Sequence, residues 1–144
     1  MPEKKTIERA RKDARAGKAP STQAGEFVRE EIEHIREGKH GARSAKQAIA
    51  IGLSKARRAG VKLPPPKEGR VSSQTRAKAE SDYQKGQSGK RVKPSAKRSR
   101  SRIAALKQEG RSAASHRALS QQARRAAQAR KRRGTVGQGT GRES

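Results

Sequence analysis

The stretch TQAGEFVREEIEHIRE at residues 22–37 decides the fold class, because its apolar residues recur at helical spacing. The apolar stripe falls at i, i+4, i+8 and i+11: Ala24, Val28, Ile32 and Ile35. That period places the four side chains on one face of an α-helix, with Phe27 beside them. After Pro20, the hydroxyl of Ser21 or Thr22 is the predicted N-cap, and Gly38 is the predicted stop.

Acidic residues occupy another face of the same predicted helix. They recur at i, i+4, i+7 and i+11: Glu26, Glu30, Glu33 and Glu37. Like charges at this spacing repel by a few tenths of a kcal/mol per pair. We therefore expect an exposed acidic ridge that pairs with basic segments of this chain or of a partner. A catalytic role is disfavoured, since paired carboxylates need burial to separate their pKa values.

A second helix is predicted over residues 45–59. Ser44 and Gln47 have the spacing of a capping box, and Gly60 is a natural C-terminal stop. We expect the two helices to form an antiparallel hairpin over residues 21–63. The facing apolar residues would be Val28, Ile32 and Ile35 on one side and Ile49 and Leu53 on the other. At about 1.5–3 kcal/mol per buried large side chain, less the ordering entropy, this hairpin is marginal alone, so a homodimer through it is a candidate assembly.

The segments outside the hairpin have simpler composition. Residues 1–20 form a charged N-terminal segment, in which a short helix over 6–16 would have only Ile7 to pack. Residues 64–95 are predicted to be a Pro/Gly/Ser-rich linker with a short helix at 74–85. Residues 96–133 form a basic, Ala/Arg-rich helical arm, and residues 134–144 a flexible tail. The predicted fold is all-α: a small helical hairpin with a largely disordered or transiently helical basic C-terminal arm.

Composition excludes several classes of protein. The chain has 144 residues, a net charge of +25, 28% hydrophobic residues and 1% aromatic residues. Cysteine is absent, which excludes disulfides and thiolate metal sites. The N-terminus lacks the apolar run of a signal peptide, and no apolar run approaches the roughly 20 residues that span a membrane. The predicted location is cytoplasmic, in association with the nucleoid.

The basic arm predicts a nucleic-acid partner. Residues 88–133 contain sixteen Lys or Arg and a single acid, Glu109. Cations at this density bind phosphates and release counterions. The chain has few aromatic side chains on which single-stranded bases could stack, so duplex DNA is favoured over RNA. The candidate phosphate contacts in the arm are Arg98, Arg100, Arg102, Arg117, Arg124, Arg125, Arg130, Lys131, Arg132 and Arg133, and those in the second helix are Lys46, Lys55, Arg57 and Arg58.

Catalytic and metal-binding patterns are weak. Glu30 and His34 share a helical face, but the sequence places no third ligand beside them, so His34, His40 and His116 are all expected to be partly exposed histidines. A Gly-rich phosphate loop and a nucleophile elbow are both missing. The sequence therefore predicts no metal, no cofactor and no enzymatic activity.

Residues 44–60, SAKQAIAIGLSKARRAG, carry a family resemblance. Over about residues 20–66 the chain resembles small basic bacterial proteins of unknown function, often labelled plasmid stabilization protein or DNA-binding protein. The resemblance implies a DNA-linked role and assigns no reaction and no binding residues.

Taken together, these features predict a non-catalytic, largely sequence-nonspecific DNA-binding protein of the nucleoid-associated or plasmid-stabilization type. Two alternatives remain: a basic protein associated with RNA or the ribosome, and a protein-interaction module that acts through the 21–63 hairpin.

Overall fold

The structure is a computed structural model that describes residues 2–88 and 96–141, with side chains up to residue 132. Its described part is all-helical and contains no strand, which confirms the all-α class. The helices are α1 (Lys4–Arg15), α2 (Pro20–Arg36), α3 (Ala45–Arg58), α4 (Ser73–Gln87), α5 (Ala96–Lys107) and α6 (His116–Gly141), with a short 3-10 turn at Ser112–Ala114 between the last two. Residues 89–95 of the predicted linker and 142–144 of the predicted tail lie outside the described residues, and α6 continues through residues 134–141.

Helices α2 and α3 run antiparallel and approach closely at one glycine. A Cβ added to Gly52 would lie 2.6 Å from the Val28 Cα, so only glycine permits this crossing. The most buried large apolar side chains are Phe27 and Ile35, whereas Val28, Ile49 and Leu53 are only half-buried. The predicted facing set therefore needs correction: small residues bring the backbones together, and Phe27 fills the space beside them.

The helix ends follow local chemistry, with one exception. The Ser44 hydroxyl accepts a hydrogen bond from the Gln47 backbone N–H at 3.2 Å, as predicted. Gly38 and Gly60 end α2 and α3 with φ of 82° and 100°, a conformation that other residues rarely adopt. The exception is the start of α2: the helix begins at Pro20 with Ala19 at the N-cap, so the prediction of a Ser21 or Thr22 cap was wrong. Proline suits a first helical position because the N–H that it lacks has no intrahelical partner there.

The N-terminal segment packs, contrary to the sequence expectation. Ala10 of α1 shares a buried cluster with Ala24, Phe27, Ala56 and Val61. Thr6 is also buried, and Ile7 packs against the edge of the cluster. Because alanine allows close helix contact, α1 needs no large apolar side chain to cover α2.

The region predicted as a linker contains a packed helix. Asp82 of α4 is 2% exposed and accepts hydrogen bonds from the Ser54 hydroxyl at 2.6 Å and the Arg58 Nε at 2.7 Å, both on α3. The Ser72 hydroxyl caps α4 by accepting from the Thr75 N–H. Helix α4 is thus fixed to α3 by a buried carboxylate whose partners are 24 and 28 residues away in sequence.

The middle of the basic arm is hydrogen-bonded to the turn between α2 and α3. The Gly41 and Ala42 N–H groups donate to the carbonyls of Leu106 and Gly110, at 2.8 and 3.1 Å. Ala113 and Ala114 join a second buried cluster, whose other members are Ile35, Ala42 and Ala48. We call residues 106–114 the docking turn. It holds the end of α5 and the start of α6 against the packed helices.

Candidate nucleic-acid interface

Helix α6 divides into a covered face and a cationic face. Ala118, Leu119, Gln122 and Ala126 are half-buried on one side. The predicted cations on the other side, all exposed, are Arg117, Arg124, Arg125, Arg130, Lys131 and Arg132. Arg117, Arg124 and Lys131 recur every seven residues, so they lie on one face about 10 Å apart along the axis. The side chain of Arg133 lies outside the described residues.

Helix α5 is exposed over almost its whole surface. Its one buried residue is Leu106, next to the docking turn. The predicted contacts Arg98, Arg100 and Arg102 are all exposed. Within residues 96–132, twelve Lys or Arg accompany the single acid Glu109, and every one of the twelve is exposed. Ten of these twelve cations have no salt-bridge partner among the described residues: Lys97, Arg100, Arg102, Lys107, Arg111, Arg117, Arg124, Arg125, Arg130 and Arg132.

The cations predicted on α3 have different surroundings. Arg57 is buried at 7% exposure, and its guanidinium donates to the carbonyls of Leu63 and Pro64, both at 3.2 Å. Burial lowers the pKa of Arg57, but a guanidinium stays charged across the ordinary pH range. Lys55 pairs with Glu31, and Arg58 pairs with Asp82. Lys46 alone of this set is exposed without such a partner among the described residues.

Helix α1 adds a cationic surface that the sequence analysis did not select. Its six basic residues are all exposed: Lys4, Lys5, Arg9, Arg11, Lys12 and Arg15. Two acids, Glu8 and Asp13, lie among them. The density of charge was visible in the sequence. The sequence analysis did not select these residues because it expected the N-terminal segment to have almost nothing to pack against.

The acidic ridge is partly buried, which corrects the expectation of an exposed one. Glu30 is 4% exposed and accepts a hydrogen bond from the Glu3 backbone N–H at 2.6 Å. Glu33 pairs with Arg29, and Glu37 with Lys39. The most buried acid is Glu31, at 1% exposure, which the ridge pattern did not include. The pairing is therefore within the chain and ties α2 to its neighbours.

Around Glu31 and Glu30 lies a polar cluster at the C-terminal half of α2. Lys55 Nζ bonds Glu31 Oε1, and His40 Nε2 lies 3.2 Å from Glu31 Oε2. His34 Nε2 lies 3.3 Å from Glu3 Oε1. Hydrogen bonding to His34, and then to Lys5, lowers the pKa of the Glu3 carboxyl.

Two sets of side chains in this cluster have ligand atoms close enough to hold one cation. The first set is Glu31, His34 and His40, and the second is Glu3, Glu30 and His34. In each set the ligand atoms all lie within 4.8 Å of one another. The sequence analysis found only Glu30 and His34, and its expectation of a partly exposed His40 was wrong, since His40 is 7% exposed. The helical period does not reveal how the turn after α2 brings His40 back beside Glu31.

The chain is similar to a family with no assigned activity. A family model described as "Family of unknown function (DUF6496)" matches residues 3–67, which span α1, α2, α3 and the proline-rich segment after them. No curated protein and no solved structure matches the chain. Among the described residues, no helix combines the length and apolar character that crossing a bilayer requires.

Proposed function

We propose that this protein is a non-catalytic, largely sequence-nonspecific DNA-binding protein, of a nucleoid-associated or plasmid-stabilization type. The observation that supports it best is the run of twelve exposed cations on residues 96–132, with one acid among them. Each phosphate that such a cation neutralises releases counterions, which gives affinity without reading base sequence. The resemblance of residues 20–66 to proteins labelled DNA-binding points the same way.

Duplex DNA is favoured because the chain presents no aromatic platform. Phe27 is 1% exposed, and Tyr83 is half-buried. Proteins that bind single strands usually stack bases on exposed aromatic side chains. Contacts from arginine to the duplex backbone need no such platform.

The set of proposed phosphate contacts is smaller than the set predicted from the sequence. The contacts retained are Lys46, Arg98, Arg100, Arg102, Arg117, Arg124, Arg125, Arg130, Lys131, Arg132 and Arg133. Lys55, Arg57 and Arg58 are withdrawn, because their charged groups already bind Glu31, backbone carbonyls and Asp82. The argument for a homodimer also loses its basis, since α1 and the docking turn cover the apolar face of the hairpin within one chain.

A four-residue variant tests the proposal. Replacing Arg130, Lys131, Arg132 and Arg133 by Ala should weaken binding to random duplexes of every sequence alike and flatten the dependence on salt by up to about 0.9 per lost phosphate contact. The matched control removes four exposed cations that lie outside α1, α5 and α6: Lys62, Lys67, Arg70 and Lys78 to Ala. Fluorescence anisotropy with a labelled duplex measures both. Equal losses in the two variants would mean that only net charge matters, and an unchanged affinity in the first would overturn the assignment.

RNA is the alternative ligand class, and competition separates the two. Unlabelled duplex DNA should displace the labelled duplex at lower phosphate concentration than structured RNA does. The reverse order would replace the proposal by an RNA-associated role. Capture of a protein partner that survives nuclease treatment would instead favour a protein-interaction module.

A further inference from the structure

The second ring nitrogen of His40, Nε2, lies against a buried carboxylate oxygen. The His40 Nδ1 lies 2.9 Å from the Gly41 carbonyl oxygen, and an oxygen there can only accept, so Nδ1 carries the proton. In the neutral imidazole, Nε2 then presents its lone pair. The group that it faces at 3.2 Å is Glu31 Oε2, which is itself an acceptor. Two acceptors at this distance repel unless a proton or a metal ion lies between them, and a third ligand beside the pair distinguishes a metal site from a simple ion pair.

One oxygen of the Glu31 carboxylate lies against His40 and receives no hydrogen bond from the described part of the chain. The residue is 1% exposed, and Lys55 bonds its Oε1. Its Oε2 is buried and receives no hydrogen bond from the residues described. A buried carboxylate oxygen normally has a partner, because its desolvation is costly. That oxygen and His40 Nε2, 3.2 Å apart, are two of the atoms that could share one cation.

His34 completes a set of three ligands. One ligand atom each from Glu31, His34 and His40 lies within 4.8 Å of the other two. Glu3 lies beside the His34 ring, and Gly41 beside the His40 ring. Ligating histidines usually have such a carboxylate or carbonyl next to the ring, which fixes its orientation.

We infer that Glu31, His34 and His40 bind one divalent transition-metal ion of the zinc class. Two imidazoles and one carboxylate suit zinc, whereas calcium and magnesium prefer sets made only of oxygen ligands. Zinc bonds of about 2.0–2.1 Å in a tetrahedral site separate neighbouring ligand atoms by about 3.3 Å. The distance of 3.2 Å between His40 Nε2 and Glu31 Oε2 meets that requirement. The alternative set of Glu3, Glu30 and His34 has only one imidazole, and Glu3 is already engaged with Lys5 and Lys39.

The ion would strengthen the junction between the packed helices and the basic arm. Its ligands come from α2 and from the turn after it, and Lys55 links Glu31 to α3. Gly41, next to His40, donates to Leu106 in the docking turn. Holding His40 in place therefore also holds the backbone on which the docking turn sits. This inference does not depend on the proposed DNA binding.

Zinc binding by the full chain tests the inference, with the third histidine as control. Competition with a chromophoric zinc indicator, in the absence of nucleic acid, should give one zinc ion per chain. His34→Gln and His40→Gln should each weaken binding at least ~10-fold, since loss of a ligand costs no less than loss of a supporting contact. His116→Gln, which changes an exposed histidine outside the cluster, should leave the affinity unchanged.

Two further readouts keep the test decisive if a variant folds poorly. Zinc should raise the Tm of the wild-type chain and of His116→Gln, and it should shift the ring nitrogen resonances of His34 and His40 but not those of His116. His34→Gln leaves the Glu31–Lys55 pair in place, so circular dichroism should show it folded. Absence of stoichiometric zinc binding, equal losses in all three variants, or zinc-insensitive His40 resonances would overturn the inference.

Discussion

Lysine and arginine side chains have different surroundings in the packed helices and in the basic arm. In the packed helices α1 to α4, several cations are matched to nearby acids or carbonyls: Lys55 to Glu31, Arg58 to Asp82 and Arg57 to two backbone carbonyls. On α5 and α6, cations such as Arg100, Arg117 and Arg124 are exposed and have no salt-bridge partner among the described residues. The cations that pair within the packed helices stabilise the fold, whereas the exposed cations of α5 and α6 are available to bind a polyanion.

The largest effect on stability should come from the buried carboxylate of α4. Asp82→Ala leaves Arg58 and the Ser54 hydroxyl without their shared acceptor, at a cost of about 2–3 kcal/mol after allowance for the partial exposure of Arg58. Urea unfolding measures it. Glu80→Ala, on an exposed position of the same helix, should stay within about 0.5 kcal/mol. Similar values for the two variants would show that α4 is not fixed to α3.

The glycine at the α2–α3 crossing comes next. Gly52→Ala places a Cβ 2.6 Å from the Val28 Cα, and separating the two backbones should cost about 2 kcal/mol. Gly25→Ala is the matched control on α2, where an added Cβ meets nothing within 4 Å. That change should stabilise the protein by up to about 1 kcal/mol, because alanine is the better helix former. A Gly52→Ala variant as stable as Gly25→Ala would contradict the described crossing.

The smallest expected effects come from comparing one arginine of the packed helices with one arginine of the basic arm, each measured for both stability and DNA binding. Arg57→Ala should lower the free energy of unfolding by about 1–2 kcal/mol through two lost hydrogen bonds and lost packing, with little change in DNA affinity. Arg124→Ala should change stability by less than about 0.5 kcal/mol and reduce the salt slope of DNA binding by about 1. Thermal unfolding and anisotropy on the same two proteins check both expectations. If Arg57→Ala changed binding while Arg124→Ala changed stability, the division of roles would be reversed.

Local patterns predicted the two central helices well. Apolar spacing located α2, and the Ser44 cap and Gly60 stop located α3, because these signals depend on residues close in sequence. The start of α2 was missed for a local reason too, since a proline at the first helical position competes with the hydroxyl cap.

The packing of α1 and α4 could not be predicted in the same way. The buried clusters are rich in alanine, for example Ala10, Ala24, Ala48 and Ala56, and alanine contributes little to a hydrophobic pattern. Burial of Asp82 and Glu31 depends on partners 24 residues or more away, which no local period records. A chain with only 28% hydrophobic residues therefore packs through small residues and internal ion pairs.

The measurement that tests the central claim most directly is the salt dependence of duplex binding by the full chain. Anisotropy titrations with one random duplex at about 50 and about 200 mM salt should show affinity falling by roughly 10³ or more, since that loss corresponds to many phosphate contacts. Weak binding that does not change between the two salt concentrations would contradict the claim that the exposed cations of α5 and α6 serve a nucleic acid.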